Sequence, residues 1–234
     1  MAELHFRNAS VLGKTSYIPN SEEETTIYTI CIATEGEVEE LQYIKGFVAS
    51  FLKKNSISIR YANDNLNDNE RHSSHPKCRL QHLLRFRASI HPNWKEYSDD
   101  MSWLVCDRDS QSFKEKQYDD VVQQCKDNNI SFIISNPAFQ LWLLMHFVES
   151  IDTAYINDNF NTSKKQLKFI ETEIKKHISY QHGHLNFESF KDYVNNATEC
   201  SKSLEKDIQK LKNSIGTNFS SLIEKLEVFK SKII

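Results

Sequence analysis

Three carboxylates stand where an α/β protein would put its chemistry. Glu35 closes the apolar run TTIYTICIATEG, and Asp107 and Asp109 close MSWLVCDRD. Acidic side chains gathered at strand ends can hold one or two Mg2+ or Mn2+ ions, which prefer oxygen ligands and leave coordination positions for water and phosphate. Two such ions would stabilise both the attacking and the leaving oxygen of a phosphodiester. In that reading Glu35 is a metal ligand or general base, and Asp107 and Asp109 are the metal pair. Gly36 would let the backbone approach a phosphate closely. The competing reading is that these acids cap helices or pair with Arg108 and nearby lysines.

The elements that must position them alternate along the chain. Residues 25–34 predict a buried strand, and Glu35-Gly36 opens a helix reaching about residue 54, with Val38, Leu41, Ile44, Val48, Phe51 and Leu52 at helical spacing. A short strand at Ile57 to Tyr61 precedes an Asn/Asp-rich loop at 63–70, which lacks the central Gly and closing Glu of a calcium loop. Leu80, Leu83, Leu84, Arg87 and Ile90 predict a helix over 77–91. Trp103 to Cys106 reads as a third strand, 113–128 as a helix, and Ile130 to Ile134 as a fourth strand.

Ser135-Asn136-Pro137 has the pattern of a helix start, a capping side chain followed by Pro at the first helical position. Phe139, Leu141, Trp142, Leu144, Met145, Phe147 and Val148 then predict a helix buried almost all round. Beyond 151 strand signals fade, and 163–178, 186–196 and 203–231 read as mostly helical. The expectation is an α/β fold with a largely parallel central sheet flanked by helices: residues 1–150 form the core, and 151–234 a mainly helical part packed on it as one domain. Ligands of such sheets bind beyond the carboxyl ends of the strands, where Glu35, Asp107 and Asp109 fall.

Composition narrows the field. The chain has 234 residues, 39 % of them apolar, with only five Gly and four Pro, enough to bury a full core. No apolar run approaches the roughly 20 residues of a membrane helix, and the first residues lack a secretory pattern, so a cytoplasmic location is expected. Cys31, Cys78, Cys106, Cys125 and Cys200 lack CxxC spacing and read as reduced thiols, two of them inside strands. A net charge of −3 disfavours a broad electrostatic grip on nucleic acid and leaves room for a local one.

The best local candidate runs from Arg71 to Lys95, a stretch without Asp or Glu that gathers Lys77, Arg79, Arg85 and Arg87 with His72, His75, His82 and His91. A solvated helix face or a docking surface is the plainer alternative. His72, His75, Cys78 and His82 mimic zinc-ligand spacing, but Pro76 interrupts them and no second ligand pair follows. Lys114 and Lys116, just after the Asp-x-Asp strand, could neutralise a scissile phosphate. His146 reads as a core histidine, and His177, His182 and His184 as loop residues.

The Glu35-Gly36 step, the Asp107-Arg108-Asp109 triplet and above all the segment SNPAFQLWLLMHF at 135–147 resemble the RloB family, with its EG, DRD and SNPCFELWLLLHF-like motifs. Gly216-Thr217-Asn218 ahead of Leu222 to Leu226 resembles that family's closing helix. The resemblance implies a Toprim-like fold, the core shared by topoisomerases, primases and overcoming-lysogenization-defect nucleases. It also implies a Mg2+-dependent nuclease acting on DNA or RNA in anti-phage defence, beside an ABC-type or structural-maintenance-type ATPase, as in the RloA/RloB and AbiL pairs. One position departs: Gln140 stands where the family usually has Glu, and Gln is a poor Mg2+ ligand, although its amide can still orient neighbours. Asn136 and Gln140 are therefore expected beside the site. A degenerate fold serving as an interaction subunit is the second reading. A haloacid-dehalogenase phosphatase is the third, disfavoured because Gln111 occupies the place of its hydroxyl residue.

Overall fold

A computed structural model of the chain describes residues 28–52, 57–66, 75–90 and 101–231. Five strands form one sheet: β1 (Tyr28–Thr34), β2 (Ile57–Tyr61), β3 (Met101–Asp107), β4 (Ser131–Asn136) and β5 (Gly216–Thr217), in the order β2-β1-β3-β4-β5. The first four run parallel and β5 pairs antiparallel with β4. The α/β architecture with a mostly parallel sheet is the one the sequence predicts, and it is consistent with a Toprim-like fold.

Parallel strands need crossover helices, and these cover both faces. Alternate residues of each strand therefore enter different cores. Ile30, Ile32, Trp103 and Val105 pack with Tyr43, Ile44 and Phe47 of α1 (Glu39–Phe51) and with Leu141 to Met145 of α4 (Gln140–Met145). Cys31, Ala33, Leu104 and Cys106 face the other way, against Leu80 and Leu83 of α2 (Pro76–Ile90) and Tyr118 and Val121 of α3 (Glu115–Asp127). The remaining helices are α5 (Thr153–Asn159), α6 (Ser163–Ile174), α7 (Val194–Ser201), α8 (Ile208–Leu211) and α9 (Phe219–Ser231). Side chains from α5, α6, α7 and α9 join the first core. All five cysteines are free thiols, and no helix among the described residues is long and apolar enough to cross a membrane.

Three local expectations are corrected. Helix α1 starts at Glu39, because residues 35–38 bend to carry the chain off β1. Ser135-Asn136-Pro137 is no helix cap: β4 runs to Asn136, the Asn136–Pro137 peptide bond is cis, and α4 is a six-residue helix beginning at Gln140. The polar side chains are engaged elsewhere, Ser135 Oγ with Thr217 Oγ1 at 2.8 Å and Asn136 Nδ2 with the Leu211 carbonyl at 2.8 Å. The third correction is β5, a strand inside a region read as helical. Two residues carry no periodicity, and the pairing is completed by a side chain: the Asn218 amide accepts the Ile134 N–H at 2.7 Å and donates to the Phe132 carbonyl at 2.9 Å. Of the polar loop predicted at 63–70, residues 63–65 belong to a 3-10 turn, Ala62–Asn65, and 67–70 lie outside the described residues.

His146 is the core histidine the sequence predicts, fully buried. Its Nδ1 lies 3.0 Å from the Trp142 carbonyl, which can only accept, so Nδ1 carries the proton and Nε2 accepts from the Tyr43 hydroxyl at 2.8 Å. Burial, the main cause, pushes the imidazole down to about 4. The unfolded chain takes up this proton near 6.5, the ordinary value of an imidazole, so folding stability is lost as pH falls from about 6.5 to about 4. Urea unfolding across that window should show a loss of about 3 kcal/mol from this group, with the His146 imidazole resonances titrating near the lower limit. A titration near 6.5 would contradict the buried geometry.

Candidate active site

The register of β1 on β3 decides where the acids meet. Thr34 pairs with Val105, and the Glu35 N–H donates to the Val105 carbonyl at 2.8 Å, so Glu35 and Asp107 leave neighbouring parallel strands side by side. The Glu35 carboxylate accepts the Asp107 N–H at 3.0 Å, and the Asp107 carboxylate accepts the Phe139 N–H at 2.8 Å. The strand end is pinned from behind: Asn63 both accepts from the Thr34 N–H and donates to the Thr34 carbonyl, each at 2.9 Å.

Two acids that sequence reasoning missed complete the cluster. Glu39 and Glu40 open α1, and both are buried. The helix N-terminus favours their charge. The Glu40 carboxylate folds back on Gly36 so closely that a Cβ there would collide with it. Gly36 therefore makes room for an acid. Glu39 accepts from the Tyr180 hydroxyl at 2.6 Å and from the Gln140 amide at 2.5 Å. His182 Nδ1 stands 3.8 Å from Glu39 and 2.8 Å from Glu171. Gln140 Oε1 is buried and has no hydrogen-bond partner among the described residues. The sequence signal that could have found these residues was the run Glu35-Gly36-Glu37-Val38-Glu39-Glu40, four acids among the six residues that follow a strand.

The electrostatics follow from this crowding. Burial first, then the charges of Glu40 and Asp109, push the Glu35 carboxyl up to about 8, against the opposing Asp107 N–H and Arg79. Burial and then the charge of Glu39 push Glu40 up to about 7, although backbone N–H groups of Glu40 and Gly36 oppose it. Asp107 is pushed well above the usual carboxylate range by burial and then by Glu40 and Glu35. Negative charge thus exceeds what the local donors neutralise.

Of the three predicted acids, Glu35 and Asp107 meet, and Asp109 stands at the edge. Its two carboxylate oxygens accept the Gln111 N–H at 3.0 Å and the Ser112 hydroxyl at 2.8 Å, closing the turn before α3. Arg108 between them is 1 % exposed and donates to the Lys212 and Phe113 carbonyls at 2.9 and 2.5 Å, so it ties β3 to the C-terminal region.

The expected basic surface divides in two. Arg79 is 2 % exposed and donates to the Glu35 carbonyl and the Glu37 carboxylate, both at 3.3 Å; Arg87 is also buried and donates to the Asn128 carbonyl at 2.8 Å. Both are internal braces, because their guanidinium groups point into the fold. Arg85, Lys77 and Lys114 are exposed. Arg71, His72, His91 and Lys95 lie outside the described residues.

Whether these residues suit Mg2+ or Mn2+ can be judged on their chemistry. Hard carboxylate oxygens, crowded until Glu35 and Glu40 hold protons near neutral pH, are the donors such ions take, and a divalent cation would relieve the charge excess. Among the described residues, no group of three His, Cys, Asp or Glu side chains is arranged to hold a metal.

A family model described as RloB-like protein matches residues 30–226, a span that includes every acid above and the 135–147 motif. No curated protein and no solved structure matches the chain.

Gln140 supplies one of the donors to a buried carboxylate. Gln140→Ala should lower stability by about 1–3 kcal/mol, the cost of leaving such a group short of a partner. Urea unfolding checks this; an unchanged midpoint would show that Glu39 does not depend on the amide.

Proposed function

The chain belongs to the RloB-like family, and from that premise we propose that it is a Mg2+- or Mn2+-dependent nuclease of Toprim-like fold, cutting phosphodiesters of DNA or RNA. As in the systems its motifs resemble, it would act as the effector of an ABC-type or structural-maintenance-type ATPase in anti-phage defence. The observation that carries the reading is the meeting of Glu35 and Asp107, with Glu40 against Gly36, at the carboxyl ends of parallel strands.

In this reading Glu35, Asp107 and Glu40 would hold the cation, with Asp109 able to join by giving up its turn contacts. The bound cation would supply Lewis-acid stabilisation of the phosphate charge and a nucleophilic water. The chain's own residues do the rest. Glu35 serves either as one of those ligands or, where it stays off the cation, as the carboxylate that accepts the proton of an attacking water. The Asp107 and Phe139 N–H groups keep two carboxylates aimed without mobile side-chain donors. Exposed Arg85 and Lys114 would meet the nucleic-acid backbone, and Arg79 would act only by fixing the Glu35 turn.

A second reading, a degenerate interaction subunit of the ATPase complex, draws on Asp109 being bound into its turn and on the uncharged Gln140. Calorimetry separates the two. The nuclease reading expects Mg2+ or Mn2+ binding that Asp107→Ala abolishes, together with divalent-dependent cutting of DNA or RNA, alone or with the ATPase, reduced at least a hundredfold in the same variant. No cation binding in the unaltered chain would leave the interaction subunit.

A further inference from the structure

One cavity lies next to the acidic cluster and takes no part in the functions assigned above. It has a volume of about 400 Å³ and is walled by Tyr180 and Phe190, with the polar side chains of Gln42, Gln181, Asn186 and Ser189 around it. That size is within the range of small-ligand sites. His184 also lines it, and no lysine, arginine or carboxylate does so among the described residues, so no fixed charge favours a phosphate or a cation there. The natural occupant is a neutral, partly apolar group rich in hydrogen-bonding edges.

The amides are poised for such a group. Gln42 Oε1 accepts the Leu185 N–H at 3.2 Å, and Asn186 Oδ1 accepts the Glu188 N–H at 3.2 Å. Each bond fixes its amide by the oxygen and leaves the NH2 end without a partner among the described residues. An NH2 group held in this way can donate to an acceptor on a base edge. The location matters equally: Tyr180 forms a wall of the cavity, and its hydroxyl donates to Glu39 at 2.6 Å. Gln42 follows Glu39 by one turn of α1. Cavity and acidic cluster thus share a wall.

We propose that this cavity receives an unstacked base of the nucleic-acid strand whose backbone lies across the acidic cluster, an inference that rests on the nuclease reading. It narrows the substrate class. A base stacked within a continuous duplex cannot enter a side pocket, so the substrate is a single strand, a loop or a strand end.

The test scans a fluorescent single strand with abasic positions, binding each to the full chain in chelator so that nothing is cut. One abasic position should weaken binding about tenfold, and the matching blunt duplex should bind more weakly than the intact strand. Gln42→Glu and Asn186→Asp keep an oxygen for the Leu185 and Glu188 N–H groups and exchange each NH2 donor for a negatively charged acceptor, so the abasic penalty is measured against each variant's own affinity for the intact strand. In these variants the abasic penalty should vanish while their thermal unfolding stays near that of the unaltered chain. If no abasic position matters, if the penalty survives in both variants, or if no strand binds, the pocket assignment is overturned. Cutting with Mg2+ is scored separately. A chain that shows the penalty and never cuts retains the pocket and loses the nuclease reading, whereas one that cuts without any penalty loses the pocket alone.

Discussion

Like charges held together are the constraint on which this structure turns. The parallel pairing of β1 and β3, in a register that sets Thr34 on Val105, forces Glu35 and Asp107 to emerge beside each other. The first turn of α1 then brings Glu39 and Glu40 to the same edge. Burying an isolated carboxylate is costly enough that the group neutralises instead. The fold answers with fixed donors: the Asp107 and Phe139 N–H groups, the Tyr180 hydroxyl and the Gln140 amide. Hydrogen bonds to charged groups contribute about 1.5–3 kcal/mol each, which offsets part of that cost, and the remainder is visible as carboxyls that keep their protons near neutral pH.

The C-terminal region is part of this arrangement. Its residues Thr217 and Asn218 finish the sheet at β4, and Arg108, inside the Asp-x-Asp motif, is anchored on the Lys212 carbonyl. Tyr180 and His182 reach Glu39 from the same half of the chain. Stripping these elements away would uncover the first core, to which Ile170, Phe190, Phe219 and Leu222 belong, and would remove donors from a buried acid.

Much of the fold was legible because its signals are long. Strands buried on both faces read as unbroken apolar runs, and that pattern located β1, β3 and β4 within a few residues. Ser135-Asn136-Pro137 misled because a Ser/Asn-Pro step suits a helix start as well as the end of a strand, and only the tertiary partners Thr217 and Leu211 decide between them. β5 was invisible for a related reason: its pairing is borrowed from the Asn218 side chain. In the site, Glu35 and Asp107 could be read from their place at strand ends. For Glu40 the sequence offers only the density of acids at 35–40, since its approach to Gly36 depends on a bend at 35–38 that no periodicity encodes. Arg79 and Arg87 looked like surface cations because charge along a helix says nothing about which side of it carries the core.

The length of the 135–147 motif has a physical explanation in the same terms. Ser135 and Asn136 bind β5 and α8. Phe139 contributes its N–H to Asp107 and its ring to edge-on and tilted contacts with Tyr43 and Phe219. Gln140 reaches Glu39, and Trp142 offers its carbonyl to His146, which receives the Tyr43 hydroxyl from α1. Successive residues of one short segment thus answer to different elements, and a six-residue helix places them within a span that longer regular structure would spread along one face. Two acids that arise from separate elements, Asp107 at the end of β3 and Glu39 in the first turn of α1, are held by neighbours in sequence, Phe139 and Gln140. A shift of one residue in this segment would release both at once, so the segment sets the spacing of the acids as firmly as the sheet register does.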